Sequence, residues 1–142
     1  MAEIIEKELS YLVMQAAYEV HNNLGPGFPE SIYETAMIRE LMARNLVLQR
    51  QKRIVVNYKG EPLGEFSLDL TVNEKIILEL KAVSEILKIH EQQALSFLKA
   101  TGLQLAIVIN FGAESVQSCR VVNTKGKAAL PPRAPQFRHI LK

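Results

Sequence analysis

The chain opens on a helical rhythm. Ile5, Leu9, Leu12, Val13, Ala16 and Val20 recur at intervals of three and four, which places one apolar stripe on a helix over about residues 3–22. The segment from Asn22 to Pro29 ends that rhythm with two glycines and two prolines, the composition of a loop. Gly25 and Gly27 suit a tight path there, because glycine adopts backbone angles that other residues resist. A second helix is expected from about Pro29 to Asn45. Proline fits a first helical position, where its missing N–H would have had no partner.

From Gln49 the period changes from helical to two. Arg53–Tyr58 is β-branched and aromatic, and Lys59-Gly60-Glu61-Pro62 follows as a turn. Glu65–Val72 alternates, with Phe66, Leu68, Leu70 and Val72 expected on one face and Ser67, Asp69 and Thr71 on the other. Asn73-Glu74-Lys75 reads as a tight turn, and Ile76–Val83 as the next strand. Helical spacing returns over residues 85–101 and stops at Thr101-Gly102. Leu105–Ile109 is short and wholly apolar, the mark of a strand buried on both faces. Ser115–Val122 reads as a last strand. The order is α-α-β-β-β-α-β-β. A helix between the third and fourth strands implies a crossover, so those two should run parallel. The fold class is therefore α/β in the broad sense (α+β): one domain over residues 1–123, with a mixed central sheet flanked by helices. Residues 124–142 are set apart as a basic, proline-containing tail.

Composition narrows this picture. A chain of 142 residues suits one domain, and with 48% apolar residues it can bury a core without staples. No apolar run is long enough to span a bilayer, and the acidic start MAEIIEKEL lacks the layout of a signal peptide. A cytoplasmic location is expected, with no membrane partner. The single cysteine, Cys119, has no internal partner, in keeping with a reducing compartment. No Cys/His cluster suggests structural zinc. The net charge of +2 conceals an uneven distribution: from Arg120 to Lys142 there are six basic residues and no acidic one. Such a stretch suits a polyanionic partner, and it equally suits a solvated tail.

The candidate chemistry lies around the Asn73–Lys75 turn. If those three residues form the loop, Val72 faces Ile76, Asp69 faces Glu79 and Ser67 faces Lys81. Alternation then puts Asp69, Glu79 and Lys81 on one face, with Leu78, Leu80 and Ala82 on the other. Two opposed carboxylates among apolar neighbours repel, so the pair must raise a pKa or recruit a cation. An all-oxygen pair without sulfur favours Mg²⁺ or Mn²⁺. Lys81 could orient an attacking water or stabilise a scissile phosphate. The plain alternative is an ion pair of Lys81 with Glu79 or Asp69.

Asp69, a nine-residue gap and then Glu79-Leu80-Lys81 resemble the D-x(n)-(D/E)-x-K signature of the PD-(D/E)XK nuclease superfamily. Gly27-Phe-Pro-Glu30-Ser-Ile-Tyr33 is similar to the G-x-x-E-x-x-Y motif of its GxxExxY family, and the likeness extends from about Leu9 to Gly112. The resemblance implies a restriction-endonuclease-like fold and Mg²⁺-assisted phosphodiester hydrolysis of DNA or RNA, with Mn²⁺ as a substitute ion. It implies Asp69 and Glu79 as metal ligands, Glu30 as an added acidic ligand, and Lys81 as the residue acting on water or phosphate. Gln93 matches the glutamine of a Q-x-x-x-Y pattern that here ends in Phe97 instead of tyrosine. A homodimer is an option the resemblance leaves open. Each residue also has a local reading. Glu30 lies in the first turn of a helix, where its charge suits the dipole. Tyr33 is a substrate contact or a packed aromatic, and His90 a phosphate contact or a polar residue on a helix surface. At the level of function the competing readings are an active nuclease, a non-catalytic module binding nucleic acid or protein on the same fold, and a hydrolase using the carboxylates as acid and base.

Overall fold

The computed structural model describes residues 4–124. The basic stretch expected as a tail lies outside the described residues from Lys125 onward. Three helices and five strands follow in the expected order: α1 (Lys7–Leu24), α2 (Glu30–Ala43), β1 (Leu48–Tyr58), β2 (Glu61–Val72), β3 (Ile76–Lys81), α3 (Lys88–Thr101), β4 (Leu105–Asn110) and β5 (Gln117–Val122). The strands form one sheet in sequential order, antiparallel except for β3 and β4, which run parallel across the α3 crossover. No helix among the described residues is long and apolar enough to cross a membrane.

Turn chemistry sets the register. Lys59 and Gly60 both take left-handed backbone angles (φ 53° and 83°), the two-residue turn that matches strand twist, and glycine fills its second place at no steric cost. Asn73 and Glu74 are also left-handed (φ 51° and 55°), and the Lys75 N–H returns to the Val72 carbonyl at 2.9 Å. Val72 therefore pairs with Ile76, Thr71 with Ile77 and Leu70 with Leu78, as the three-residue loop requires.

The core has two layers, one on each side of the sheet. On one face, Val13, Ala16, Ala17 and Val20 of α1 and Tyr33, Met37 and Leu41 of α2 pack on Leu70, Val72, Ile76, Leu78, Leu80, Leu105, Ile107 and Ile109. On the other, Ala94 and Leu98 of α3 pack on Leu68, Ile77, Ala106 and Val108. Each large side chain so buried contributes about 1.5–3 kcal/mol.

The structure corrects the single apolar face expected for β2. Phe66 and Leu68 face α3, whereas Leu70 and Val72 face α1 and α2. The strand changes sides at Asp69. Across from it on β1, Gln51 has φ 51°, an angle rarely adopted by a residue with a side chain. Element ends also differ from expectation. β1 begins at Leu48 rather than Arg53, β2 at Glu61 rather than Glu65, and β5 at Gln117 rather than Ser115. β3 stops at Lys81, and α3 starts at Lys88 rather than residue 85.

Candidate active site

The site is built where the sheet forks. β2 and β3 are paired only as far as Leu70 and Leu78. In an unbroken ladder the Leu80 N–H would meet the Leu68 carbonyl. It instead donates to Asp69 Oδ2 at 2.9 Å. Asp69 thus caps the fork with its side chain on the freed Leu80 N–H.

Glu79 is the next group in. It follows Ile77 on the α3 side of β3 and is 7% exposed, yet its Oε2 has no hydrogen-bond partner. A buried carboxylate oxygen without a partner is costly, so its presence calls for a cation or a proton. Burial, followed by the charge of Asp69, pushes the Glu79 carboxyl up to about 8. Asp69 is also raised, chiefly by burial, against the lowering effect of the Leu80 N–H.

Lys81 ends β3 two residues on. Among the described residues the ion pairs are Arg44–Glu40, Arg50–Glu34 and Arg53–Glu65. Lys81 is in none of them, so the plain ion pair is not what holds it here. It still acts at longer range, lowering Glu30, Asp69 and Glu79.

Glu30 is the first residue of α2 and largely exposed. Partial burial and then the charge of Asp69 raise it. Sharing a field with Asp69, Glu79 and Lys81 brings Glu30 to the cluster. Among the described residues, however, no three His, Cys, Asp or Glu side chains gather as a metal-binding group. Glu30 stands beside the Asp69–Glu79 pair rather than closing a cage with it. Mg²⁺ commonly takes one or two carboxylates and keeps its waters, so the pair alone fits that ion. The unpartnered Glu79 oxygen and the hard, all-oxygen donor set fit it as well.

The remaining expected residues divide. Tyr33 is fully buried: its hydroxyl donates to the Gly25 carbonyl and accepts the Phe28 N–H, and its ring stacks on Phe111 with centroids 4.8 Å apart. It fixes the loop before α2 and presents no surface to a substrate. His90 caps α3, its Nδ1 accepting the Leu87 N–H at 2.9 Å, which leaves Nε2–H as a donor. Gln93 is exposed on the same helix. Phe97, where a tyrosine was expected, stacks on Phe66 with centroids 4.5 Å apart and serves packing.

Two contributors escaped the sequence reading. Glu34, one turn after Glu30, accepts from Arg50 Nε at 3.0 Å and from Gln51 Nε2 at 3.3 Å. It grips the bend opposite Asp69, and its charge raises both Asp69 and Glu30. Its i+4 spacing from Glu30 was the available signal. Asn110 is fully buried at the end of β4. Its side chain accepts from Val83 N and Gly112 N and donates to Val83 O and Gln117 Oε1, all within 3.0 Å. With Phe111 N–H bound to the Lys81 carbonyl, this clamps the loop that follows Lys81. Gly112 is needed there, since a Cβ would lie 2.3 Å from Val83 O.

A cavity of about 610 Å³ lies elsewhere, between α1 and β5, lined by Tyr11, Met14 and Arg120 among others. It shares no residue with the carboxylate cluster, which is the candidate site on chemistry rather than volume. A search of curated proteins returned no match. A family model described as the PD-(D/E)XK nuclease superfamily matches residues 7–122. That span runs from the first residue of α1 to the last of β5 and contains the forked strands with Asp69, Glu79 and Lys81. On that match the chain belongs to the PD-(D/E)XK nuclease superfamily.

Proposed function

We propose that this chain is a metal-dependent nuclease that hydrolyses phosphodiester bonds at the β2–β3 fork, with Asp69 and Glu79 binding Mg²⁺ or Mn²⁺. The observation that carries the reading is the buried, unpartnered Oε2 of Glu79 beside a second carboxylate. When bound, the ion supplies Lewis-acid polarisation of the phosphate and makes water a better nucleophile. Asp69 is oriented by the Leu80 N–H, which occupies Oδ2 and leaves Oδ1 available. Glu79 must give up its proton to serve as a ligand. Lys81 holds its ammonium near the carboxylates, where it orients water or offsets charge developing on the phosphate. Glu30 adds negative charge, and His90 and Gln93 of α3 are the proposed substrate contacts.

Within the superfamily, we place the chain in the GxxExxY family. Gly27 adopts φ 113°, which other residues resist, Tyr33 anchors the loop, and Glu30 joins the carboxylate field, so each named position of the motif has a physical task. A thiol hydrolase is disfavoured: burial pushes the Cys119 thiol up, away from the reactive thiolate.

The test is incubation of supercoiled plasmid, single-stranded DNA and RNA with Mg²⁺ or Mn²⁺, beside Glu79→Ala. The expected loss in the variant is about a thousandfold, several kcal/mol at 1.36 per factor of ten. Equal cleavage by the two proteins rejects the assignment.

A further inference from the structure

Topology brings two helix starts to one end of the sheet. β1 and β3 run the same way, because each is antiparallel to β2. α2 leads into β1 through a short connection and α3 leaves β3 through another, so both helices begin at the Lys81 end. Their positive dipole ends therefore approach the same region as the carboxylates and Lys81, and with a cation held by Asp69 and Glu79 that region suits a phosphodiester chain. Large apolar side chains stand exposed at both starts: Phe28 (45% exposed) and Ile32 (43%) around Glu30, and Leu87 (48%) and Ile89 (53%) around Lys88.

Phe28 differs from the other three in how it is held. Gly25 and Gly27, at φ 70° and 113°, bend the loop outward. The Tyr33 hydroxyl ties Gly25 and the Phe28 backbone together, and the Tyr33 ring meets the Phe28 ring edge-on with centroids 6.2 Å apart. Tyr33 is itself clamped in the core by Phe111. A rigid loop thus presents a phenyl face to solvent two residues before Glu30, within about 7 Å of it along the chain. The part of the ring not covered by Tyr33 is an exposed apolar surface at the mouth of the candidate site, which fits a nucleobase.

We infer that Phe28 is a stacking platform for an unpaired base next to the cleaved phosphate, so that the substrate is single-stranded nucleic acid or a single-stranded segment. The inference rests on the nuclease reading and adds the class of substrate to it. A base paired within a duplex is stacked on its neighbours and cannot meet the ring, whereas an unpaired base offers its face to an aromatic side chain.

The experiment measures binding of the full chain, with Ca²⁺ in place of Mg²⁺, to a 2-aminopurine-labelled oligonucleotide as single strand and as duplex. Wild type is expected to prefer the single strand and to quench the label. Phe28→Ala should weaken single-strand binding about tenfold, within the range for losing one stacked base, and should abolish the quench at one position. Phe28→Trp should keep the affinity, with its own emission quenched on binding. Phe28→Ala loses the edge contact with Tyr33 and should melt slightly below wild type, whereas Phe28→Trp keeps an aromatic there and should melt close to it. Binding is compared at a temperature where all are folded, and Met42→Ala, exposed at the far end of α2, serves as the surface control. Preference for duplex, or unchanged affinity and quench in Phe28→Ala while Mg²⁺-dependent cleavage persists, overturns the stacking inference and leaves the nuclease reading standing. Absence of both binding and cleavage with every metal overturns both.

Discussion

The two halves of β3 obey different rules. Ile76, Ile77 and Leu78 are laddered to β2 on one side and β4 on the other, and all three are fully buried and apolar. Glu79, Leu80 and Lys81 keep their pairing with β4 but have lost β2. In the closed half the strand is paired on both sides. In the open half an N–H is freed and Asp69 takes it, while a carboxylate is held in the interior with one oxygen unpartnered. The closed half supplies stability that the open half partly loses, and the open half is the one proposed to do chemistry. Substitutions should therefore separate cleanly along six consecutive residues of one strand.

The largest effect is expected from Asp69→Asn. The amide oxygen can still accept the Leu80 N–H, so stability should stay close to wild type. Cleavage should fall about a thousandfold because the charge is gone. Matching losses in stability and activity would make Asp69 a purely structural cap. Next is Lys81→Met, for which kcat should drop about a hundred- to a thousandfold while Mn²⁺ affinity, measured by calorimetry, is retained. Loss of metal binding in that variant would merge the roles of lysine and carboxylates.

The closed half should give the opposite pattern. Leu78→Ala should cost about 2–5 kcal/mol of stability in urea melts, with activity per folded molecule unchanged. An activity loss beyond the unfolded fraction would erase the distinction between the halves. Glu79→Gln tests the open half through pH. The folded carboxyl titrates near 8 and its reference value is 4.5, so the folded state holds a proton that the unfolded chain has already released. Metal-free wild type should thus lose stability as pH rises from about 4.5 to 8 and level off above. The raised values of Asp69 and Glu30 act in the same direction. Glu79→Gln should match wild type near pH 4 and exceed it near pH 9 by on the order of a few kcal/mol. Parallel stability curves in EDTA would show that Glu79 is not buried as described. The smallest effect is expected from Glu34→Gln, a few-fold loss of cleavage from a looser grip on Arg50 and Gln51. An unchanged rate would confine Glu34 to the surface.

The fork was half legible in the sequence. The Asn73-Glu74-Lys75 loop gave the pairs Val72–Ile76, Thr71–Ile77 and Leu70–Leu78, but the expected Asp69–Glu79 and Ser67–Lys81 pairs do not form, because the ladder ends where β2 bends away at Asp69. The parallel pairing of β3 and β4 followed from a helix lying between two apolar runs. What the sequence concealed was the change of face between Leu68 and Leu70. Counting alternation assumes uniform strand geometry, and the bend depends on a left-handed angle at Gln51, a residue that does not announce one. β1 began earlier than expected because Leu48–Lys52 belongs to an edge strand and is mostly exposed, so its charged residues broke the alternation. Asn110 read as the end of a strand. Its role as a clamp depends on Val83, Gly112 and Gln117 meeting in space, which no local pattern encodes. Tyr33 was open to two readings, and its burial against Phe111 favours packing.

The central claim is that the Asp69–Glu79 pair is a divalent-metal site, and anomalous diffraction tests it most directly. Crystals grown with Mn²⁺ above pH 8, where Glu79 has released its proton, should show one strong peak in contact with both carboxylates, absent from Glu79→Ala crystals. Protein that cleaves nucleic acid under the same conditions, with manganese bound elsewhere and none at the fork, would contradict the account.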